Sequence, residues 1–301
     1  MRIVDALLRL LIFPGLVYAL PAAWLMVWVE RKLTARLQRR IGPPFFQPFF
    51  DFVKLLAKRP VSRPPLQGLV MTALPILATA AVLGALTLLP VFAGGGFSGD
   101  LVLLASLLEV PALCAVLGGF ASRSLYGELG ATREAVLSVA YSLPFLASLV
   151  ALAAAAHTLD LTTLLSRPLW AVRAPALVAL ALCLPVKLRI NPFSVANAEQ
   201  EIYAGPTTEF EGPRLALWEL AHGLEWVVLT GLWATLAFPV VRFAWPLRVV
   251  VFIAISFAAA AVITAVAAAT ARLKPVQAAR VYWQWGMLVA VVALILAMAL
   301  Y

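Results

Sequence analysis

Eight stretches of this 301-residue chain are apolar over a length that crosses a hydrocarbon layer: roughly 10–29, 67–92, 101–121, 135–156, 174–190, 213–241, 247–270 and 281–300. A spanning helix needs about 20 predominantly apolar residues. Barrel strands are shorter and alternate with period two, and these windows do neither. Hydrophobic residues make up 63% of the chain and charged residues 12%, against roughly 25% charged in soluble domains. No compact soluble fold hides so much apolar surface. The expected fold is an all-α integral membrane protein, an eight-transmembrane-helix bundle forming one polytopic domain over 1–301. Pro14, Pro21, Pro75, Pro111, Pro144 and Pro185 fall inside spans. A bundle tolerates them where neighbouring helices satisfy the freed carbonyls. Leu11 to Val29 is followed directly by charges and reads as a retained first helix rather than a cleaved signal.

Basic residues set the orientation. Segments 30–65, 122–133, 187–214 and 271–280 together hold 17 of the 23 Lys and Arg. The positive-inside rule therefore places these segments in the cytoplasm and both termini on the outer side. Segment 30–65 is strongly basic and then amphipathic. Phe45, Phe46, Phe49, Phe50, Phe52 and Val53 interleave with Asp51, Lys54, Lys58 and Arg59, and Pro48 suits a first helical turn. It reads as a cytoplasmic amphipathic helix, either interfacial and held by anionic headgroups or part of a docking surface. On the outer side, 157–173 reads as a mildly amphipathic interfacial loop, and Gly94-Gly95-Gly96 as a flexible turn.

Several chemistries are excluded. Cys114 and Cys183 lie in apolar runs, too few and wrongly spaced for a zinc or iron–sulfur site. They read as small buried hydrophobes. This chain is expected to bind no metal. The net charge of +9 flanks the spans and does not signal nucleic acid. No nucleotide fingerprint, catalytic triad or internal repeat is visible, so a stand-alone transporter is disfavoured.

Carboxylates carry what chemistry remains. The longest polar interval, 187–214, holds Glu199, Glu201, Glu209 and Glu211 between Pro and Gly turns. It is either a solvated connector or a second docking segment. An acidic loop beside the basic 30–65 stretch, with its Arg36, Arg39 and Arg40, suits one docking surface, because complementary charge fixes register. Ionisable residues at membrane depth are functional candidates by default. Glu109 lies inside the third predicted span and Glu134 opens the fourth. Glu219, His222 and Glu225 recur at intervals of three in the sixth, within a sector of roughly 120°. A His between two Glu suits a proton relay; a paired structural network is the alternative.

With these residues in view, the chain resembles the membrane subunit of respiratory complex I that joins membrane and redox arms (NADH dehydrogenase subunit 1). It more closely resembles the counterpart in energy-converting, membrane-bound [NiFe] hydrogenases and formate hydrogenlyases. The matching residues are Glu30-Arg31-Lys32, Gly42-Pro43-Pro44, Gln47-Pro48, Asp51 and Lys54-Leu55-Leu56. They continue through Gly118-Gly119-Phe120-Ala121-Ser122, Tyr126 and Gly130-Ala131-Thr132-Arg133-Glu134. Asn191-Pro192-Phe193, Ala198-Glu199, Glu201, Gly205-Pro206 and Thr208-Glu209 follow, with a weaker match at Ala271-Arg272 and Gln277.

The resemblance implies a bundle in a prokaryotic cell membrane whose cytoplasmic loops grip a hydrogenase-like large subunit and a small iron–sulfur subunit. It lies beside antiporter-like membrane subunits. On this reading the [NiFe] centre and iron–sulfur clusters belong to the partners, and Glu30, Arg31, Gly42, Pro43, Asp51, Lys54, Arg133 and Arg272 lie on the docking side. Glu199, Glu201 and Glu209 stand at the mouth of a polar funnel. Redox chemistry in the partners is expected to drive proton or sodium movement, here from the Glu199–Glu209 loop past Glu134 to Glu225. Ser194, Asn197 and Ser142 stand where the family usually has acids, so the usual path is interrupted. Ser142 is eight residues, about 12 Å, along the helix from Glu134. Two other readings stay open. One is the quinone-site subunit of an NADH–quinone-type dehydrogenase, with a lipophilic chamber under the 43–59 helix. The other is a purely structural, non-conducting anchor.

Overall fold

The computed structural model describes residue 11 and residues 15–91, 99–238 and 244–300. No strand occurs among them. Eleven helices are numbered here. Helices α1 (Leu16–Leu37), α2 (Gln47–Ala57), α3 (Pro65–Thr87), α4 (Asp100–Ala121) and α5 (Leu125–Ala156) come first. Helices α6 (Leu161–Ser166), α7 (Trp170–Lys187), α8 (Glu199–Ile202), α9 (Gly212–Ala237), α10 (Trp245–Ala269) and α11 (Pro275–Leu300) complete the bundle. Seven of them, α3, α4, α5, α7, α9, α10 and α11, are long and apolar enough to cross a membrane. The protein is therefore a multi-pass helical membrane protein.

The predicted first span, 10–29, lies partly outside the described residues. Helix α1 runs on through Glu30, Arg31 and Lys32 to Leu37, beyond the predicted end. Other boundaries shift too. The largest shift is at α5, which starts at Leu125 rather than near residue 135. Glu134 is consequently more than two turns inside its helix, not at its mouth. Gly94-Gly95-Gly96 and Pro14 fall outside the described residues. The helices containing Pro21, Pro75, Pro111, Pro144 and Pro185 continue through them.

Helix α9 is the most enclosed span and α10 and α11 the least. Ala19, Ala22, Ala23 and Met26 recur at helical spacing and form the buried face of α1. A Cβ on Gly223 of α9 would sit 3.2 Å from the Ala23 Cβ, so small residues let α1 and α9 approach closely. The Pro48 expectation holds: α2 carries Pro in its first turn. It crosses the base of α1, where Trp24 meets Phe49 edge-on at 5.1 Å and Trp28 meets Phe45 at 5.2 Å. Within 157–173, α6 packs onto the bundle. Its Leu161, Leu164 and Leu165 are buried, and Asp100 accepts from Leu161 N at 2.7 Å. Cys114 and Cys183 are both buried, as small hydrophobes would be.

The central polar loop is seated by glycine. A Cβ on Gly130 of α5 would lie 2.6 Å from the Gly205 Cα, and one on Gly205, whose φ is +57°, would strike Ala196 O. Only a bare backbone lets the loop lie this close to α5.

Candidate functional site

Two charged clusters occupy the interior between α4, α5, α7 and α9. The first centres on Arg189. This residue follows α7 with φ +53°, a left-handed turn that carries its side chain back into the bundle. Its Nε donates to Glu134 Oε1 at 3.1 Å and its Nη1 to Glu225 Oε2 at 3.0 Å. All three side chains are at least nine-tenths buried. His222 Nδ1 lies 3.6 Å from the same Glu225 oxygen. One guanidinium thus faces two buried carboxylates. Arginine itself does not release a proton in proteins.

The second cluster lies nearby. Lys187 Nζ donates to Glu109 Oε1 at 2.8 Å and to Leu108 O at 3.2 Å. It stands 4.8 Å and 4.5 Å from the ring centres of Tyr141 and Phe145, a cation–π arrangement in a desolvated place. Ser142 Oγ donates to the other Glu109 oxygen at 2.9 Å.

The predicted residues thus divide. Glu134 and Glu225 come together through Arg189, with His222 alongside. Glu219 does not join them. It is half-exposed, 3.9 Å from Arg31, on the opposite edge of the 120° sector. Glu201 and Glu209 also separate. Glu201 is held by Arg133 Nη1 at 2.7 Å and Arg272 Nη2 at 2.9 Å. The hydrogen bond from Arg133 and the charge of Arg272 keep its carboxyl below the usual glutamate range. Glu209 instead joins Arg63, whose Nη2 lies 3.5 Å from its carboxylate and donates to its backbone oxygen at 2.6 Å. The Glu199 side chain lies outside the described part of the structure.

Among the docking candidates, Arg31 reaches Asp51 at 3.2 Å. Lys32 Nζ donates to Pro43 O at 3.3 Å, and Gly42 turns the chain with φ +73°. Arg36, Arg39, Arg40 and Lys54 are exposed. Glu30 faces a polar cavity of about 470 Å³, lined also by Arg189, Asn191, Ser194, Asn197 and Arg272. Ser194 and Asn197, two of the three positions at which acids were expected, thus line the same cavity as Arg189. No group of three or more metal-ligating side chains lies together among the described residues.

Sequence reasoning missed Arg189 and Lys187, which were counted as topogenic charges of a cytoplasmic segment. The signal was there: both stand within the apolar run Leu182–Ile190, and the buried acids Glu109 and Glu134 needed cationic partners.

Residues 10–298 match the family described as NADH dehydrogenase. Hydrogenase-4 component C of Escherichia coli K12 is 30% identical over 226 residues, 71% of this chain and 70% of that protein. The H subunit of the NADH-quinone oxidoreductase of Paraburkholderia phymatum is 28% identical over 253 residues, 76% and 71% of the two chains. A chain of the archaeal membrane-bound sulfane sulfur reductase, a respiratory membrane complex, superposes with a TM-score of 0.84 at 26% identity. That match covers 98% of this chain and 99% of the other. With a family match over nearly its whole length, and relatives of both hydrogenase and NADH–quinone type, the chain belongs to the NADH dehydrogenase subunit 1 family.

Proposed function

We propose that this chain is the membrane anchor and coupling subunit of a hydrogenase-type, complex I-like oxidoreductase, with no redox centre of its own. Its partners are a hydrogenase-like large subunit, a small iron–sulfur subunit and antiporter-like membrane subunits. The [NiFe] centre and clusters reside in those partners. The assembly sits in a prokaryotic cell membrane, with α1 as an eighth span and both termini outside.

The observation that carries the reading is Arg189 bridging Glu134 and Glu225. Arg189 opens the same loop that carries Glu201, and Arg133 and Arg272 tether that loop at its surface. A redox partner that shifts the loop shifts the guanidinium. Drawing it away from the two carboxylates raises their proton affinity, because a desolvated carboxylate without a cation takes a proton. Returning it expels the proton. Ion coupling then runs from the loop to Glu134 and Glu225, with His222 as the exchange partner beside them.

Glu134→Gln or Glu225→Gln should leave assembly and electron transfer intact and reduce proton movement in sealed vesicles at least tenfold. Normal pumping by both variants refutes the path and favours the non-conducting anchor. The quinone-site alternative calls for a lipophilic chamber under α2. A cavity lies there, but charged side chains ring its mouth.

A further inference from the structure

A cavity of about 300 Å³ opens where α2 crosses the inner ends of α1 and α9. Its mouth is polar: Arg31, Asp51, Lys54, Lys58 and Glu219. Its inner part is not. Trp24, Phe52 and Leu220 form the walls, and Ala23 and Gly223 the floor. Ala23 lies eight residues from Arg31 along α1, about 12 Å deeper. The close contact of Ala23 with Gly223 closes that end. The site is a slot, charged at the membrane surface and apolar toward the hydrocarbon.

The charges at the mouth do not balance. Arg31 is paired with Asp51 at 3.2 Å and lies 3.9 Å from Glu219. Lys54 in the last turn of α2 and Lys58, which caps its C-terminus, make no ion pair among the described residues. Three cations against two carboxylates leave one positive charge in excess. Phe45 and Phe46 just before α2 and Phe50 within it are exposed, as on an interfacial helix.

We infer that this slot binds an anionic phospholipid, with its phosphate against Lys54 and Lys58 and the start of one acyl chain between Trp24 and Leu220. A neutral quinone fits it poorly. A neutral head group would leave the excess cationic charge at the mouth unmatched. A phospholipid meets both ends in the right order. Lipid held here would fasten α2 to the bundle, and Arg31, Asp51 and Lys54 would face lipid rather than the peripheral arm. This ligand does not depend on the coupling mechanism proposed above.

The test is native mass spectrometry of the intact complex in mild detergent, followed by delipidation and add-back of phosphatidylglycerol or phosphatidylcholine. One phosphatidylglycerol should persist through washing, and its add-back alone should raise the unfolding temperature. Lys54→Glu with Lys58→Glu should cut occupancy at least tenfold, whereas Arg36→Glu, outside the slot, should not. Leu220→Trp fills the inner part with every charge intact and should give the same loss. Should the paired glutamates destabilise the complex, Lys54→Gln with Lys58→Gln serves in their place. Unchanged occupancy in the lysine variants or in Leu220→Trp overturns the proposal. So does recovery of a neutral isoprenoid quinone, instead of phospholipid, from the wild-type slot.

Discussion

Ser142 Oγ donates a hydrogen bond to Glu109 Oε2 at 2.9 Å across the interface of α4 and α5. A serine in the place expected for an acid has therefore not left a gap in the polar interior. Its hydroxyl orients a carboxylate supplied by the neighbouring helix, and Lys187 neutralises that carboxylate from a third. Glu109 lies about 14 Å along α4 from Asp100, near mid-span, where an unpaired charge is most costly.

Lys187→Met should therefore be strongly destabilising. The lysine side chain is 3% exposed and that of Glu109 19%. Removing one partner of a buried pair typically costs about 3–5 kcal/mol, whereas removing both is often nearly neutral. The single variant should lower the unfolding temperature and the amount of complex in membranes. Adding Glu109→Gln should restore much of both. An unchanged unfolding temperature for Lys187→Met means that the pair contributes nothing in the assembled protein.

Seven of the eight expected spans were legible in the sequence, because hydropathy over twenty residues integrates many weak preferences. Helix α2 was legible because Pro48 and the aromatic spacing agree. The pairing inside the bundle was not. Lys187 and Arg189 count identically for topology, yet one serves Glu109 and the other bridges Glu134 to Glu225. The left-handed turn at Arg189 makes the difference, and no spacing rule announces it. Likewise the three-residue spacing of Glu219, His222 and Glu225 suggests one shared sector, yet only His222 and Glu225 meet. Only the crossing of α2 shows that Glu219 at its edge faces a different cavity.

The Glu201 tether should be insensitive to pH across the neutral range. Arg133 and Arg272 hold the folded pKa below the unfolded value, which is about 4.3. The stabilisation is then fully present above the unfolded value and is lost as pH falls through the lower, folded one. Amide-exchange protection of residues 200–204, corrected for intrinsic rates, should be flat from pH 8 to 5 and fall only in more acidic buffer. Glu201→Gln at pH 7 should reproduce the acidic state. A loss of protection between pH 7 and 5 would show that another group controls the loop.

Topology is tested by single cysteines in a background with Cys114 and Cys183 replaced by serine. Cysteines at Ser62 and Gln277 should react with a membrane-impermeant maleimide only from the cytoplasmic side. One at Leu159, exposed between α5 and α6, should react only from outside. Labelling of position 159 from the cytoplasm would invert the whole arrangement, and with it the docking face.

The basic turn after α1 gives the last prediction. Arg36, Arg39 and Arg40 are exposed and make no ion pair among the described residues. Arg39 has φ +58° and Gly42 φ +73°, so the chain folds back and projects the cluster away from the bundle. Lys32 secures the return through its bond to Pro43 O. A fixed, unsatisfied basic knob suits an acidic patch on a peripheral subunit, where charge sets orientation and association rate more than raw affinity. Reversing all three to glutamate should release the peripheral subunits at about 0.15 M salt, at which screening already limits attraction to about 8 Å. Neutralising them to glutamine should weaken the complex less and flatten its salt dependence. Co-purification of the membrane and peripheral arms, run against a salt series, separates these outcomes. A complex that stays intact after full reversal would mean that the knob faces lipid headgroups, and the docking surface would then have to lie on the Glu201 and Glu209 side of the loop.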